Sequence, residues 1–96
     1  MKFKVIWTNK SLTDIEDIFD YLKFKVSTES ASEIIDEIYA APQNIIFVNQ
    51  FQINQFRKDC RRIIVRNFKI LYYSENEIIY IVRVFNTYQN PIKSLF

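Results

Sequence analysis

The 96 residues of this chain include no histidine and no glycine. The first absence removes Ser-His-Asp and Cys-His catalysis and the common zinc ligand sets. The second removes the Gly-rich phosphate loops of P-loop and Rossmann proteins. Cysteine occurs once, at Cys60, so no internal disulfide can form, and a reducing cytosol is the simplest setting. Arg61 and Arg62 follow Cys60 and could lower its pKa; a plain small residue at a strand start is the alternative. No run approaches the ~18 apolar residues of a membrane span. The N-terminal MKFKVIW lacks the apolar core of a signal peptide. A cytoplasmic protein without membrane association, metal or other cofactor is therefore expected. An enzyme made from this chain would rely on Lys, Arg, Tyr, Asp or Glu for proton transfer and charge stabilisation.

What is present is apolar and aromatic. Hydrophobic residues make up 49% and aromatics 17%, which fits one small domain over residues 1–96. Large aromatic side chains offset a modest core, since each can bury ~150–250 Å². Net charge is only +2, but it is unevenly placed. Residues 1–56 carry five lysines against eight acidic residues, and residues 57–96 carry eight basic residues against three acidic ones. The basic second half suits an acidic or polyanionic partner; two ordinary solvated faces would look the same.

Along the chain, Lys2–Thr8 alternates and predicts a first strand. Asn9 or Ser11 can cap a following helix, with Asp14 and Asp17 in its first turns. Leu12, Ile15, Ile18, Phe19 and Leu22 recur at helical spacing to about Lys25. Thr28 or Ser30 can cap a second helix, whose buried face would be Ala31, Ile34, Ile35, Ile38 and Tyr39. Pro42 should end it near Ala40 and start one further short turn. The two helices read as an antiparallel hairpin packed on one face of a sheet. Residues 47–59 read as an ordered loop or edge segment.

Three runs rich in β-branched and aromatic residues then follow at Arg62–Val65, Phe68–Tyr73 and Ile78–Phe85. The breaks between them are too short for parallel crossovers, so the runs predict an antiparallel meander. Asn67 and Asn76 occupy turn positions and tolerate the left-handed conformation. A three-residue turn at Glu75-Asn76-Glu77 pairs Tyr72 with Tyr80, Ile70 with Val82, and Lys69 with Arg83. Phe68, Ile70, Tyr72, Tyr80, Val82 and Val84 then face the helices. Lys69, Leu71, Tyr73, Ile79, Ile81 and Arg83 share the open face, and a one-residue slip would exchange the faces on one strand. Arg61 and Arg62 point to opposite faces, so at most one joins Lys69.

The stretch RRIIVRNFKILYYSENEIIYIVRVFNTYQNP resembles the RelE/ParE superfamily of bacterial toxins. The likeness lies in an Arg-led strand, an aromatic-basic-aliphatic strand ending in Tyr, a Val-rich last strand, and a polar tail with Pro91. The order strand, helical hairpin, meander agrees over nearly the whole chain. The resemblance implies an α+β fold with the helices on one sheet face. It also implies the toxin of a type II toxin–antitoxin system, of the kind also known for plasmid stabilisation, neutralised by a cognate antitoxin in a hetero-oligomer. ParE-like members act on DNA gyrase; RelE-like members cut mRNA in the ribosomal A site. In the RelE-like branch, basic sheet residues with an Arg and a Tyr bind RNA and stabilise charge. Lys69 matches one such position and Arg62 another, and a nuclease here would use Arg62, Lys69, Arg83 and Tyr88, with Tyr73 or Tyr88 assisting proton transfer. The position after the last strand that is usually Arg in the superfamily holds Tyr88. Loss of such a charge stabiliser can cost a hundredfold or more in rate, which favours the ParE-like reading. Target or antitoxin binding is then expected of Arg61, Arg62, Lys69, Leu71, Tyr73, Ile79, Ile81, Arg83 and Tyr88.

Overall fold

Thr8 decides where the first helix begins. Its extended backbone places the hydroxyl to accept the Ser11 N–H, so Thr8 is the N-cap in place of the expected Asn9 or Ser11. The same hydroxyl donates to the Ile81 carbonyl at 2.7 Å, tying the helix start to a central strand. The computed structural model describes residues 3–46, 50–54 and 57–87. From this start the elements run β1 (Lys4–Trp7), α1 (Asn9–Lys25), α2 (Thr28–Ala40), a 3₁₀ turn (Ala41–Asn44), β2 (Arg61–Val65), β3 (Phe68–Glu75) and β4 (Ile78–Asn86). Ser27, in place of the expected Thr28 or Ser30, accepts the Ser30 N–H and starts α2. Pro42 sits inside the 3₁₀ turn, as its fixed φ and missing N–H require.

The four strands form one sheet in the order β1-β4-β3-β2. The meander β2-β3-β4 is antiparallel, and β1 adds parallel to β4. Ile15, Ile18 and Leu22 of α1 and Ala31, Ile34 and Ile38 of α2 pack on Ile63, Phe68, Ile70, Tyr72, Ile79, Ile81 and Val84. Each large side chain in that layer contributes about 1.5–3 kcal/mol by leaving water. Trp7 closes the edge of the layer against Tyr39, with ring centroids 4.8 Å apart.

The register corrects the expected faces. The β3–β4 turn has two residues, not three: Asn76 (φ 52°) and Glu77 (φ 64°) are both left-handed, and Glu75 pairs with Ile78. This is the turn whose twist matches the flanking strands. The single-residue slip puts Ile79 and Ile81 against the helices and Tyr80 on the opposite face. Further along, Tyr72 pairs with Ile81 and Leu71 with Arg83, leaving Val82 as the extra residue of a β-bulge. Strict alternation from Ile81 would have sent Arg83 into the apolar layer and Val84 out of it. The bulge returns Val84 to the core opposite Ile70 and spares Arg83 that burial. In the β2–β3 turn the left-handed residue is Arg66 (φ 55°), not Asn67. Its guanidinium meets both carboxylate oxygens of Glu37 on α2, at 3.1 and 2.6 Å.

A left-handed residue other than Gly costs about 1–3 kcal/mol. Asn is at home in this conformation, but Glu77 is not. Glu77→Gly, which creates the favoured Asn-Gly turn, should raise stability by about 1 kcal/mol. The urea midpoint of unfolding checks this; an unchanged or lower midpoint would refute it.

Candidate functional site

The face of the sheet away from the helices follows from the pleat. Phe68, Ile70 and Tyr72 point to the helices, so Lys69, Leu71 and Tyr73 point away. Cross-strand pairing then brings Arg62 and Ile64 of β2, and Tyr80, Val82 and Phe85 of β4, to the same side. At its centre Leu71, Cys60 and Phe85 are buried together with Val82 packed on them, a second apolar cluster much smaller than the first. Toward the β3–β4 turn the rings of Tyr73 and Tyr80 stack, centroids 5.0 Å apart at 19°. Ile64, 51% exposed, and Lys69 lie side by side toward the other end.

The cations of this region differ in freedom. Arg62 is held flat along the sheet edge: it donates to the Ile53 carbonyl at 2.9 Å and to the Gln52 side-chain oxygen at 2.8 Å. The segment 50–54 runs beside β2, with the Arg62 N–H on the Gln52 carbonyl and the Asn54 N–H on the Cys60 carbonyl. Arg61 points to the other side and donates to the Phe51 carbonyl at 2.7 Å. Lys69 forms no ion pair among the described residues. Arg83 is withdrawn: its guanidinium meets both oxygens of Asp14, at 2.7 and 3.1 Å, with both side chains largely buried. The same Asp14 carboxylate accepts the Val84 N–H at 3.0 Å. β1 ends at Trp7, opposite Ile81, so the β1-side edge of β4 has no strand neighbour beyond that point among the described residues; Thr8 and then Asp14 serve as its partners there.

Of the expected site residues, the structure gathers Arg62, Lys69, Leu71 and Tyr73 on one face. Ile79 and Ile81, expected there, are fully buried in the helix-covered core because the two-residue turn shifts the register. Arg83 does not stand opposite Lys69; the bulge places it beside Leu71 and Asp14 takes its charge. Leu71 faces the expected way but is fully buried. Arg61 lies on the helix-side surface, and Tyr88 lies outside the described residues. Tyr80 and Val82 were expected in the core and belong to the open face instead. Asp14 was legible only as an acid near a helix start; nothing in the spacing pairs it with a residue 69 positions away.

This face carries a lysine without an ion pair among the described residues, an arginine hydrogen-bonded along the sheet edge, a stacked phenol pair and aliphatic surface. Among the described residues no three His, Cys, Asp or Glu side chains cluster to hold a metal, and no helix is long and apolar enough to cross a membrane. Burial pushes the Cys60 thiol up to about 11, overriding the lowering by Arg57. The thiol therefore stays protonated at neutral pH and should label with iodoacetamide only when the chain opens, at least a hundredfold slower than in urea. The raised pKa has a second consequence. Its stabilising effect is complete below the unfolded thiol's pKa near 9.0 and fades as pH rises toward about 11, so Cys60→Ala should flatten any loss of stability in that window. Rapid native labelling would refute the burial.

Comparison with known proteins adds three findings. The family profile described as "ParE toxin of type II toxin-antitoxin system, parDE" matches residues 5–91. A search of curated proteins finds no match. Among solved structures, the chromosomal ParDE toxin–antitoxin system from P. aeruginosa superposes with a TM-score of 0.74 at 20% identity, covering 88% of this chain and 95% of that one. The toxin–antitoxin complex RelBE2 from Mycobacterium tuberculosis superposes with a TM-score of 0.59 at 10% identity, covering 90% and 99%. At these identities the two structures establish a shared fold.

Proposed function

The chain belongs to the ParE toxin family of type II toxin–antitoxin systems, and from that premise we propose that it arrests growth by binding a cytoplasmic protein target such as DNA gyrase, without catalysing a reaction. The observation that carries this reading is the state of Arg83. A RelE-like nuclease site needs several unpaired cations converging on RNA phosphate. Here Arg83 is neutralised by Asp14, Arg62 is hydrogen-bonded to Gln52 and Ile53, and among the described residues of that face Lys69 is the cation with neither an ion pair nor a side-chain hydrogen bond. One lysine among tyrosines and aliphatics suits a protein surface better than a phosphate backbone, whose binding grows with the number of cations engaged.

A cognate antitoxin is the second partner. The structural neighbours are a toxin–antitoxin system and a toxin–antitoxin complex. An antitoxin segment carrying Asp or Glu beside apolar residues would match Lys69 and the aliphatic rim of the open face, Ile64 above all. The pairing of charges would speed association and the apolar burial would slow release.

The test uses the purified full chain in two assays. Inhibition of gyrase supercoiling with intact mRNA on programmed ribosomes is the expected result. Cleavage of mRNA in the A site with supercoiling untouched would replace this reading by the RelE-like one, with Arg62 and Lys69 on phosphate.

A further inference from the structure

The helical hairpin carries two unexplained features, far from the open sheet face. Its tip is apolar and basic. Phe24 is 92% exposed, Tyr21 50% and Val26 56%, with Lys23 and Lys25 between them. Lys25 stands 5.9 Å from the Tyr21 ring centroid and Lys23 5.1 Å from that of Phe19. Halfway along the hairpin, on its outer side, α1 and α2 part to leave a groove of about 400 Å³. Leu12, Phe19, Ile35 and Tyr39 give it apolar walls, and the exposed Glu16 and Asp36 give it acidic ones. A phenylalanine this exposed, standing free at a helix end between lysines, is unusual for a surface in water. So is an unfilled apolar groove lined by carboxylates.

We propose that the two features fit each other: the hairpin tip of one copy of this chain seats in the α1–α2 groove of a second copy, and the reverse. Phe24 fills apolar space, and Lys23 and Lys25 meet Glu16 and Asp36. The charges are opposite in sign. The spacing permits closure. Phe24 and Glu16 lie eight residues apart on α1, about 12 Å along its axis. Two α1 helices crossing antiparallel near Asp20 bring each Phe24 beside the other's Glu16, which makes a closed two-fold pair and not an open chain. Asp20, at the crossing, is already paired with Lys23 at 3.3 Å. Two exchanged tips bury less than the ~1,600 Å² of a standard stable interface, so the pair should be weak and concentration-dependent, half-assembled at about 10–100 µM. This contact leaves the open sheet face free and does not depend on the target proposed above.

Sedimentation of the full chain from about 1 to about 500 µM tests it. The average mass should rise from that of one chain toward that of two. Phe24→Ser, at a position too exposed to disturb folding, should weaken the association at least tenfold. Glu16→Lys with Asp36→Lys should do the same, and adding Lys23→Glu with Lys25→Glu to that pair should restore it. A wild-type chain that stays monomeric throughout, or a Phe24→Ser variant that associates like wild type, would overturn the proposal. Mass climbing beyond two chains would overturn the closed geometry.

Discussion

Asp14→Ala is expected to cost this domain about 3 kcal/mol, enough to lower its melting temperature by more than ~10 °C. Two groups depend on that carboxylate: the Arg83 guanidinium, which donates to both carboxylate oxygens, and the Val84 N–H on an edge of β4 that β1 no longer covers. With Asp14 gone, a mostly buried cation loses its counter-charge and a strand N–H loses its acceptor. Each of these is a recognised route to a large destabilisation. The side chains are 11% and 13% exposed, so water reaches the pair slightly and the lower part of the usual range applies. Removing both partners should hurt less than the two single changes combined. Asp14→Ala/Arg83→Ala should show a coupling of about 1–3 kcal/mol in a double-mutant cycle. Thermal melts of the four proteins are sufficient. A single mutant melting within a few degrees of wild type would show that the pair is ornamental. The result bears on function too. A loss of toxicity in any Arg83 variant would report first on folding, and would be poor evidence that Arg83 touches a target.

The parts of this fold that were legible in the sequence are those governed by local pattern. The stripes Ile15-Ile18-Leu22 and Ala31-Ile34-Ile38 marked both helices and their buried faces. Pro42 marked the end of α2, and the short polar breaks marked an antiparallel meander. Register was not legible, because it hung on one turn residue. Whether Glu75 belongs to the turn or to the strand changes no propensity, yet it reverses the faces of Ile79, Tyr80 and Ile81. The bulge at Val82 was equally hidden. It answers a long-range need, keeping Arg83 out of the apolar layer, and leaves no local mark without a glycine. The candidate site inherited both uncertainties. Lys69 and Tyr73 were placed correctly because β3 sits next to the well-determined Phe68-Ile70-Tyr72 row. The β4 residues were not. Leu71 shows a different limit: its face was right, but the cluster with Cys60 and Phe85 removes it from the surface. Leu71→Asp would therefore test folding before it tested any partner.

Lys69→Glu is expected to abolish growth arrest while leaving the fold in place. Lys69 sits toward the β2–β3 end of the open face, between Ile64 and Phe85 on the neighbouring strands. It has no ion pair among the described residues to lose. Reversing a partly exposed charge of this kind usually changes stability by no more than about 0.5 kcal/mol. Binding is another matter. The partner proposed here would set a carboxylate against Lys69, and the variant both removes that attraction and opposes two like charges in a desolvated contact. Such a reversal costs several kcal/mol, a loss of affinity of about a thousandfold or more. Tyr80→Ala, which leaves Tyr73 without its stacked neighbour, should weaken arrest by a smaller factor, since aromatic pairs add only about 0.5–1.5 kcal/mol beyond the area they bury. The measurements are growth after induced expression and a thermal melt of each purified variant. Undiminished arrest by a folded Lys69→Glu protein would move the target off this face. The helical hairpin, with its acidic groove and exposed Phe24, would then be the surface to mutate next.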